Sequence, residues 1–389
     1  MNSNNTPDSR RINLALQGGG SHGAFTWGVL DALLEDGRIE IEGISGTSAG
    51  AMNAVVLAHG LAQAGDKSGA DPRESARAAL AGFWNGIVDM GAVSSSIAQA
   101  QRVPFDLLFG GLSDLSGGGS PTQRWSDALA GFWTGTVSPY QSNPFDINPL
   151  MKFVESQVDF QRLAAHKATK VFVVATCVQN GKADVFFGKR LTAKAVMASA
   201  CLPMVFQAVE IEGQHYWDGG YSGNPAIHPL IYKCDSRDVV LVQINPIKRH
   251  KVPTTAAAII DRTSEITFNG ALIAEMRAID FVKRLLADGK LDPARYKNVL
   301  MHRIDGGEAL EAYDASSKSS TDGKLVHALR DLGAQSAKQW LAKRFKSLGV
   351  TDTVNIARDY LDALRVPVQE AAGGATPATP GANTAQAPT

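Results

Sequence analysis

Cysteine is scarce in this chain of 389 residues, which contains only Cys177, Cys201 and Cys234. Three cysteines do not make a disulfide framework in a protein of this length. Each lies in an apolar or strand-like stretch, so we expect three buried free thiols. Free thiols indicate a reducing compartment, and the polar residues 1–10 lack the apolar segment of a secretory leader. Both observations favour a cytoplasmic location.

An excess of charge of one sign is also missing, because 38 Lys and Arg residues balance 38 Asp and Glu residues. Nucleic-acid binding depends on concentrated positive charge, so we expect no nucleic-acid partner. The one basic cluster, residues 248–251, is interpreted as a solvated loop. Histidines and carboxylates do not cluster at the spacing of metal ligands, and we expect neither a metal nor another cofactor.

Long apolar runs are absent as well. No uninterrupted run reaches the roughly 18 residues that a membrane-spanning helix needs, so any contact with a membrane is expected to be peripheral. Residues 1–11 and residues 367–389, the latter rich in Ala, Pro, Thr and Gly, are predicted to be disordered because they cannot form a core. The folded unit is predicted over residues 12–366.

Short apolar runs alternate with helical patterns inside this unit. Strands are predicted at 12–16, 39–45, 171–177, 239–244 and 299–304, and helices at 24–35 and 49–59. A hairpin is predicted at 208–217, with Gly213-Gln214 as its two-residue turn. Residues 288–366 are predicted to form a C-terminal helical extension. The alternation of strands and helices predicts an α/β fold with a mainly parallel sheet and helices on both faces.

Residues 91–150 depart from this pattern, because they are rich in Gly, Ser and Pro and carry few charges. They contain the apolar residues Phe105, Leu107, Leu108, Phe109, Trp125, Phe132, Trp133, Tyr140 and Phe145. Two interpretations stay open: an apolar lid-like insertion or binding surface, and a helical subdomain that packs on the sheet.

A G-x-S-x-G pentapeptide at residues 46–50 lies between a predicted strand and a predicted helix. This context is typical of a nucleophile elbow, a tight turn that projects a serine hydroxyl above the sheet. Gly46 and Gly50 allow the backbone to make such a turn. Ser48 is therefore the candidate nucleophile, and the N-terminus of the following helix favours negative charge near it.

The first glycine-rich turn of the chain, Gly18-Gly19-Gly20-Ser21-His22-Gly23, follows the first predicted strand. Backbone N–H groups of Gly18, Gly19 and Gly20 are candidates for an oxyanion hole, since no side chain obstructs them. The same letters fit the G-x-G-x-x-G pattern of a dinucleotide loop. That alternative requires an acidic residue at the end of the second strand, where this chain has the serine turn instead.

Asp218 precedes Gly219 and Gly220 at the end of the predicted hairpin, where a carboxylate is a candidate base for the serine. A simple turn-capping role is the alternative. Histidines offer a different base, and the candidates are His22, His59, His215 and His228. Histidines are more often surface or packing residues, and His22 is the one to test because it lies in the glycine-rich turn.

Three motifs in one order, GGGSHG, GTSAG and DGG, resemble those of the patatin-like phospholipases, and of their bacterial members in particular. The resemblance runs from about residue 13 to about residue 287 and includes ASACLP at 198–203 and the Asn224-Pro225 pair. It implies a three-layer α/β/α sandwich and a Ser48–Asp218 dyad without histidine. It also implies that the first glycine-rich turn supplies the oxyanion hole.

The family pattern often has Asp before this turn and Arg in its fifth position, where this chain has Gln17 and His22. The implied activity is that of a serine lipid acyl hydrolase of the phospholipase A or lysophospholipase type. The alternatives are a triacylglycerol or polyester esterase with the same mechanism, a non-catalytic lipid-binding relative, and a nucleotide-binding module. A lipid is the expected partner, and the sequence indicates no oligomeric state.

Overall fold

The computed structural model describes residues 9–64, 69–101, 138–143, 146, 148–203, 205–249, 252–313, 317–318 and 320–361. The prediction of disorder over residues 1–11 is wrong for Arg10 and Arg11, because both belong to a strand and pair with Ile39 and Glu40. Residues 1–8 and the C-terminal tail, which are also predicted to be disordered, lie outside the described residues. So does most of the apolar segment 91–150, including every apolar residue noted there except Tyr140. The choice between an insertion and a subdomain therefore stays a prediction.

The described strands and helices alternate along most of the chain. The strands are β1 (Arg10–Leu16), β2 (Ile39–Gly46), β3 (Lys170–Cys177), β4 (Ala183–Phe187), β5 (Val209–Ile211), β6 (Gln214–Asp218), β7 (Asp238–Gln243) and β8 (Leu300–Asp305). The helices are α1 (Gly23–Asp36), α2 (Ala49–Gln63), α3 (Pro72–Gln101), α4 (Pro139–Ser142), α5 (Pro149–Gln157), α6 (Phe160–Ala165), α7 (Ala193–Ser199), α8 (His228–Lys233), α9 (Ala256–Ala287), α10 (Gly307–Glu311), α11 (Gly323–Arg344) and α12 (Ile356–Tyr360).

The eight strands form one sheet, in which β3, β2, β1, β7 and β8 are parallel neighbours in that order. Side chains of successive strand residues point to opposite faces, and both faces are apolar. Leu14 and Leu16 of β1 pack on one side, whereas Ala15 packs on the other. A strand such as this, buried on both faces, is expected at the centre of a parallel sheet.

Helices cover both faces of the sheet. The core on one side is formed with α1, α2, α3, α7 and α11, and the core on the other with α8, α9 and α12. The predicted α/β fold, with helices flanking a mostly parallel sheet, is therefore confirmed.

Strand β3 organises the part of the sheet that carries the candidate site. One of its edges is paired with β4 along Phe172–Thr176. Because that edge is occupied, β2 and β6 must share the other edge, β2 at residues 170–173 and β6 at residues 175–177. β2 is parallel to β3 and β6 is antiparallel, so their C-terminal ends point at each other across Val174.

The hairpin turn was predicted one residue too late. Ile211 pairs with Gln214, so the turn residues are Glu212 and Gly213 rather than Gly213 and Gln214. Both have positive φ, 53° and 77°, as a type I′ turn requires. Cross-strand pairing of β5 with β6 decides the register, at the cost of an unfavourable backbone conformation for Glu212.

Residues 288–366 are not wholly helical. Within their described part, β8 extends the parallel sheet beyond β7 before the chain continues into α10, α11 and α12. The C-terminal region thus completes the sheet and also adds to both helical layers.

Candidate active site

Ser48 lies in the tight turn between β2 and α2, with φ of 54° and ψ of −122°. A positive φ is unfavourable for serine, and the surrounding glycines make this backbone path possible. A Cβ on Gly46 would lie 2.6 Å from the carbonyl carbon of Gly50. A Cβ on Gly50 would lie 2.8 Å from the carbonyl oxygen of Gln17. The turn is so compact that neither glycine has room for a side chain.

Two hydroxyl groups fix the position of this turn by hydrogen bonds. The backbone N–H of Ser48 donates to Ser199 Oγ at 2.9 Å, and Ser199 is fully buried at the end of α7. The hydroxyl of Thr47 donates to the carbonyl oxygen of Gly223 at 2.6 Å. Ser199 lies in the stretch ASACLP at 198–203, and nothing in the local sequence indicates this contact.

Asp218 is the last residue of β6 and is 1% exposed. Its carboxylate accepts a hydrogen bond from the Gly220 N–H at 2.7 Å. Burial raises the pKa of Asp218 to about 7, while the Gly220 N–H and the nearby Ser48 hydroxyl act in the opposite direction. A carboxyl group with this pKa accepts a proton near neutral pH far better than an ordinary aspartate.

The head-on arrangement of β2 and β6 explains how Ser48 and Asp218 meet. Gly46 is paired with Val173, and Asp218 is paired with Ala175. A Cβ on Gly219 would lie 2.7 Å from the carbonyl carbon of Val174, in the gap between the two strand ends. The glycine after Asp218 therefore lets the base approach the serine turn along the same edge of β3.

The first glycine-rich turn also touches the serine turn, since a Cβ on Gly18 would lie 2.7 Å from Ser48 Cβ. The Gly18 N–H, however, donates to Asn224 Oδ1 at 2.7 Å. It is thus engaged, contrary to the expectation that all three glycine N–H groups serve an oxyanion. The N–H groups of Gly19 and Gly20 have no hydrogen-bond acceptor among the residues that the structure describes.

Gln17 and Asn245 hold the other side of this turn. Asn245 Nδ2 donates to the Gly18 carbonyl oxygen at 2.7 Å, and Lys318 Nζ donates to Asn245 Oδ1 at 2.8 Å. Gln17 Oε1 accepts from the N–H groups of Ile244 and Asn245, both at 2.9 Å. The Gln17 amide also donates to the Asn224 carbonyl oxygen at 3.2 Å, which an ionised aspartate at this position would be unable to do.

His22 is buried, and its Nε2 lies 2.7 Å from Ser317 Oγ. Burial, together with the positive charges of Lys318 and Arg249, lowers the pKa of His22 to about 3. The imidazole is therefore neutral at physiological pH. The other candidates form hydrogen bonds elsewhere: His59 with Gln63, His215 with Gln179, and His228 with Glu275. In the described part of the chain, no histidine is hydrogen-bonded to Ser48 or Asp218.

The basic cluster at 248–251 is only partly described, and its solvated-loop interpretation is wrong for Arg249. The Arg249 guanidinium donates to Glu265 at 2.6 Å and to the carbonyl oxygen of Glu311 at 2.8 Å. Glu265 is 2% exposed on α9. Arg249 thus neutralises a buried carboxylate behind the glycine-rich turn.

All three cysteines are free and buried, as predicted. Cys201 is next to the base, because its carbonyl oxygen accepts the Asp218 N–H at 2.7 Å. Burial and the nearby Asp218 charge raise the pKa of Cys201 to about 12. The thiol therefore stays protonated and is a poor nucleophile.

Two further classes of feature are absent from the residues described. No group of three or more His, Cys, Asp or Glu side chains there is arranged to hold a metal ion. No helix there is long and apolar enough to cross a membrane.

Comparison with known proteins gives a match to a family model. A family model described as patatin-like phospholipase matches residues 14–231, more than half of the chain, and this range includes Ser48 and Asp218. No curated protein matches. Among solved structures, the crystal structure of VipD from Legionella pneumophila has a TM-score of 0.38 and 14% sequence identity, with 90% of this chain and 73% of that chain covered. A likeness of that strength carries no structural or functional inference.

Proposed function

The chain belongs to the patatin-like phospholipase family, and from this premise we propose that it cleaves fatty-acyl esters with Ser48 as nucleophile and Asp218 as general base. The family is one of lipid acyl hydrolases. The observation that carries the proposal is the meeting of the Ser48 turn with the buried Asp218 along one edge of β3, where burial raises the pKa of Asp218 to about 7. This arrangement joins a poised proton acceptor to a serine on a strained turn.

Acylation begins when Ser48 Oγ attacks the ester carbonyl carbon and its proton passes to Asp218. The carbonyl oxygen becomes an oxyanion, which the N–H groups of Gly19 and Gly20 stabilise. The carbon–oxygen bond to the alcohol then breaks, and Asp218 gives its proton to the leaving oxygen. An acyl-serine and a free alcohol result, with Asp218 ionised again.

Deacylation repeats these steps with water as the nucleophile. Asp218 takes a proton from the water, whose oxygen attacks the acyl carbon. The bond to Ser48 Oγ breaks and the serine recovers its proton from Asp218. The fatty acid leaves, and no histidine takes part in either step.

Gly18 has a different role in this proposal. Its peptide group is fixed by Asn224 on the N–H side and by Asn245 on the carbonyl side. This fixes the direction of the next N–H groups along the chain, those of Gly19 and Gly20. Asn224 and Asn245 are thus positioning residues, since preorganised donors stabilise a transition state without further rearrangement.

The preferred substrate is a phospholipid or lysophospholipid, with triacylglycerol and polyester as alternatives under the same mechanism. A lipid panel separates them: release of fatty acid from phosphatidylcholine, lysophosphatidylcholine, trioleoylglycerol and a short polyester is measured under one condition. Turnover of the two neutral substrates alone would replace the phospholipase assignment with that of a neutral esterase.

The direct test of the mechanism is labelling with a fluorophosphonate probe followed by mass spectrometry. We expect an adduct on Ser48 in the wild type and none in Ser48→Ala. Ser156→Ala is the matched control, because this exposed helical serine bonds to the carbonyl oxygen of Phe153 and to the Gln157 side chain, neither of which belongs to the candidate site. Absence of an adduct on folded wild-type protein, with and without lipid vesicles, would leave a lipid-binding protein without turnover.

A further inference from the structure

Helix α9 presents an uncharged face to solvent beside the candidate active site. Every exposed residue described from Val252 to Ala274 is uncharged. The charged residues of this stretch, which are Asp261, Arg262 and Glu265, are half-buried or buried. Arg262, for example, donates to the carbonyl oxygen of Ile247 and to Glu265. Between Val252 and Ala274 the outward side therefore carries no charge, and the first exposed charged residue beyond this stretch is Arg277.

The hydroxyl groups on this face are already satisfied within the helix. Thr263 donates to the Ile259 carbonyl oxygen at 2.9 Å, Ser264 to Ile260 at 3.1 Å, and Thr267 to Thr263 at 2.9 Å. A hydroxyl that bonds to the carbonyl four residues earlier loses little when water is removed. The face therefore behaves as an apolar surface, although it carries three hydroxyl side chains.

Exposed apolar side chains flank these hydroxyl groups on both sides. Ile259 and Ile266 are 48% and 57% exposed. They are seven residues apart and fall on one row of the helix at about 100° per residue. On the other side, Phe268 packs edge-on against Tyr221 with ring centroids 5.2 Å apart. Tyr221 is 42% exposed.

This surface is continuous with the turn that carries the base. Tyr221 belongs to the short 3₁₀ turn Gly219–Tyr221, which follows Asp218 directly. A Cβ on Gly220 would lie 3.0 Å from Phe268, so the helix and the turn are in close contact. A substrate surface that rests on α9 therefore lies next to the dyad.

We propose that the α9 surface, formed by Ile259, Thr263, Ile266, Thr267 and Tyr221, docks on the surface of a zwitterionic phospholipid aggregate. The proposal rests on the proposed function, because it states that the enzyme binds its lipid substrate as an aggregate. An exposed face without charge gains nothing from anionic headgroups. Burial of apolar area drives the docking, which is accordingly insensitive to salt.

The test measures sedimentation with phosphatidylcholine vesicles in a Ser48→Ala background, so that no lipid is consumed. We expect the added pair Ile259→Asp and Ile266→Asp to weaken partitioning by at least about tenfold. The control is Val350→Asp, since Val350 is 72% exposed and lies by the N-terminal ends of β7 and β8, at the opposite edge of the sheet. The control is expected to bind as the parent does.

A second pair of variants separates apolar docking from recognition of the hydroxyl groups. Thr263→Val with Thr267→Val keeps the shape of the face and removes both hydroxyls. We expect vesicle binding to be retained or increased, and to change by less than about twofold between about 0.05 M and about 0.5 M salt. Loss of binding in the valine pair, or a steep fall with salt, would overturn the proposal.

Other occupants of this face give different results. If a second copy of the chain covers it, the aspartate pair shifts the molecular mass in solution and leaves vesicle binding unchanged, which overturns the proposal. If residues 102–137 cover it, the aspartate pair changes neither quantity, with the same consequence. Fluorophosphonate labelling and hydrolysis of a monomeric ester, measured with Ser48 intact, test the proposed function separately, so either idea can fail alone.

Discussion

Asp218 is fully buried, and no positively charged group contributes to the shift of its pKa. A salt bridge would hold this pKa low and leave the carboxylate a weak base. Burial beside Ser48 does the opposite and makes the carboxylate basic near neutral pH. The same burial makes its ionised form costly for the folded protein, so catalysis and stability are coupled at this residue.

Catalysis should therefore follow the ionisation of Asp218. We expect kcat/KM for a monomeric ester to rise about tenfold per pH unit below about pH 7 and to level off above it. Asp218→Asn should lower kcat by about 1,000-fold or more while the protein remains folded. If Asp218→Asn were tolerated while His22→Ala abolished turnover in a folded protein, the dyad mechanism would be wrong.

Stability should change with pH in the opposite sense. The pKa of Asp218 is higher in the folded state than in the unfolded chain, so stability falls as pH rises from about 4 to about 7. Asp218→Asn removes this loss. Its free energy of unfolding relative to wild type should increase by about 3 kcal/mol between pH 5 and pH 8. Urea unfolding at the two pH values measures this, and an equal difference at both would contradict the assignment.

Asn245 offers a test of positioning. Asn245→Ala frees the Gly18 carbonyl oxygen, so the next N–H groups lose their fixed direction. We expect kcat to fall by about 10- to 100-fold with little change in KM. Asn13→Ala is the control, because Asn13 is an equally buried amide that donates to the carbonyl oxygen of Ser236 away from the site. A similar loss of kcat in both variants would indicate a general loss of structure.

At the scale of elements, α1 and α11 are packed unusually closely. The two helices touch where a Cβ on Gly28 would overlap the Arg330 carbonyl group and where a Cβ on Gly333 would overlap the Phe25 carbonyl group. Glycine at both positions lets the two backbones come together. The pair anchors α11, whose residues lie beyond the range matched by the family model.

Gly333→Ala should therefore destabilise the protein by about 1–3 kcal/mol, because the helices must move apart. The control is Gly82→Ala, an exposed helical glycine with nothing within 4 Å of an added Cβ. Alanine there should stabilise by about 0.5–1 kcal/mol, since helical glycine is unfavourable. Thermal unfolding of the two variants measures both changes in stability. Equal changes in the unfolding temperature would show that helix propensity alone determines the effect.

The elements themselves follow from local patterns in the sequence. Apolar periodicity placed β1, β2, α1 and α2 within a few residues of their observed bounds. The hairpin turn was misplaced because Gly213 suits either of two turn positions, and only pairing with β5 chooses between them. The apolar run at 299–304 correctly predicted strand β8, whereas the prediction of a helical extension over 288–366 was too broad. Joining β7 is a tertiary property that local patterns do not contain.

At the scale of the whole molecule, the sequence located the candidate dyad but not its surroundings. Motifs mark Ser48 and Asp218 because each has a local signature of glycines and a strand. Asn224, Asn245 and Lys318 have no such signature. Asn224 and Asn245 bond to Gly18 across 206 and 227 positions of sequence, and Lys318 acts one step further away by bonding to Asn245. For these three residues, the one signal in the sequence was the Asn224-Pro225 pair, which is part of the family resemblance.

The C-terminal region is expected to be essential for folding. A chain that ends at Gly306 loses α11 from the surface of α1 and loses Lys318 from Asn245. We expect it to be insoluble or largely unfolded by circular dichroism. A chain that ends at Leu361 keeps all described contacts and should retain the wild-type unfolding temperature and fluorophosphonate labelling. A folded, labelled protein from the shorter chain would contradict this expectation.

The end-to-end meeting of β2 and β6 along β3 also determines when a folding chain acquires a reactive serine. Ser48 and Asp218 are about 170 positions apart in the sequence and come together only when both strands have found β3. Contacts of such range form late, because closing a long loop costs entropy before any contact compensates it. A chain still emerging from the ribosome thus holds an inert serine. A brief pulse of probe during refolding would therefore time the completion of the sheet.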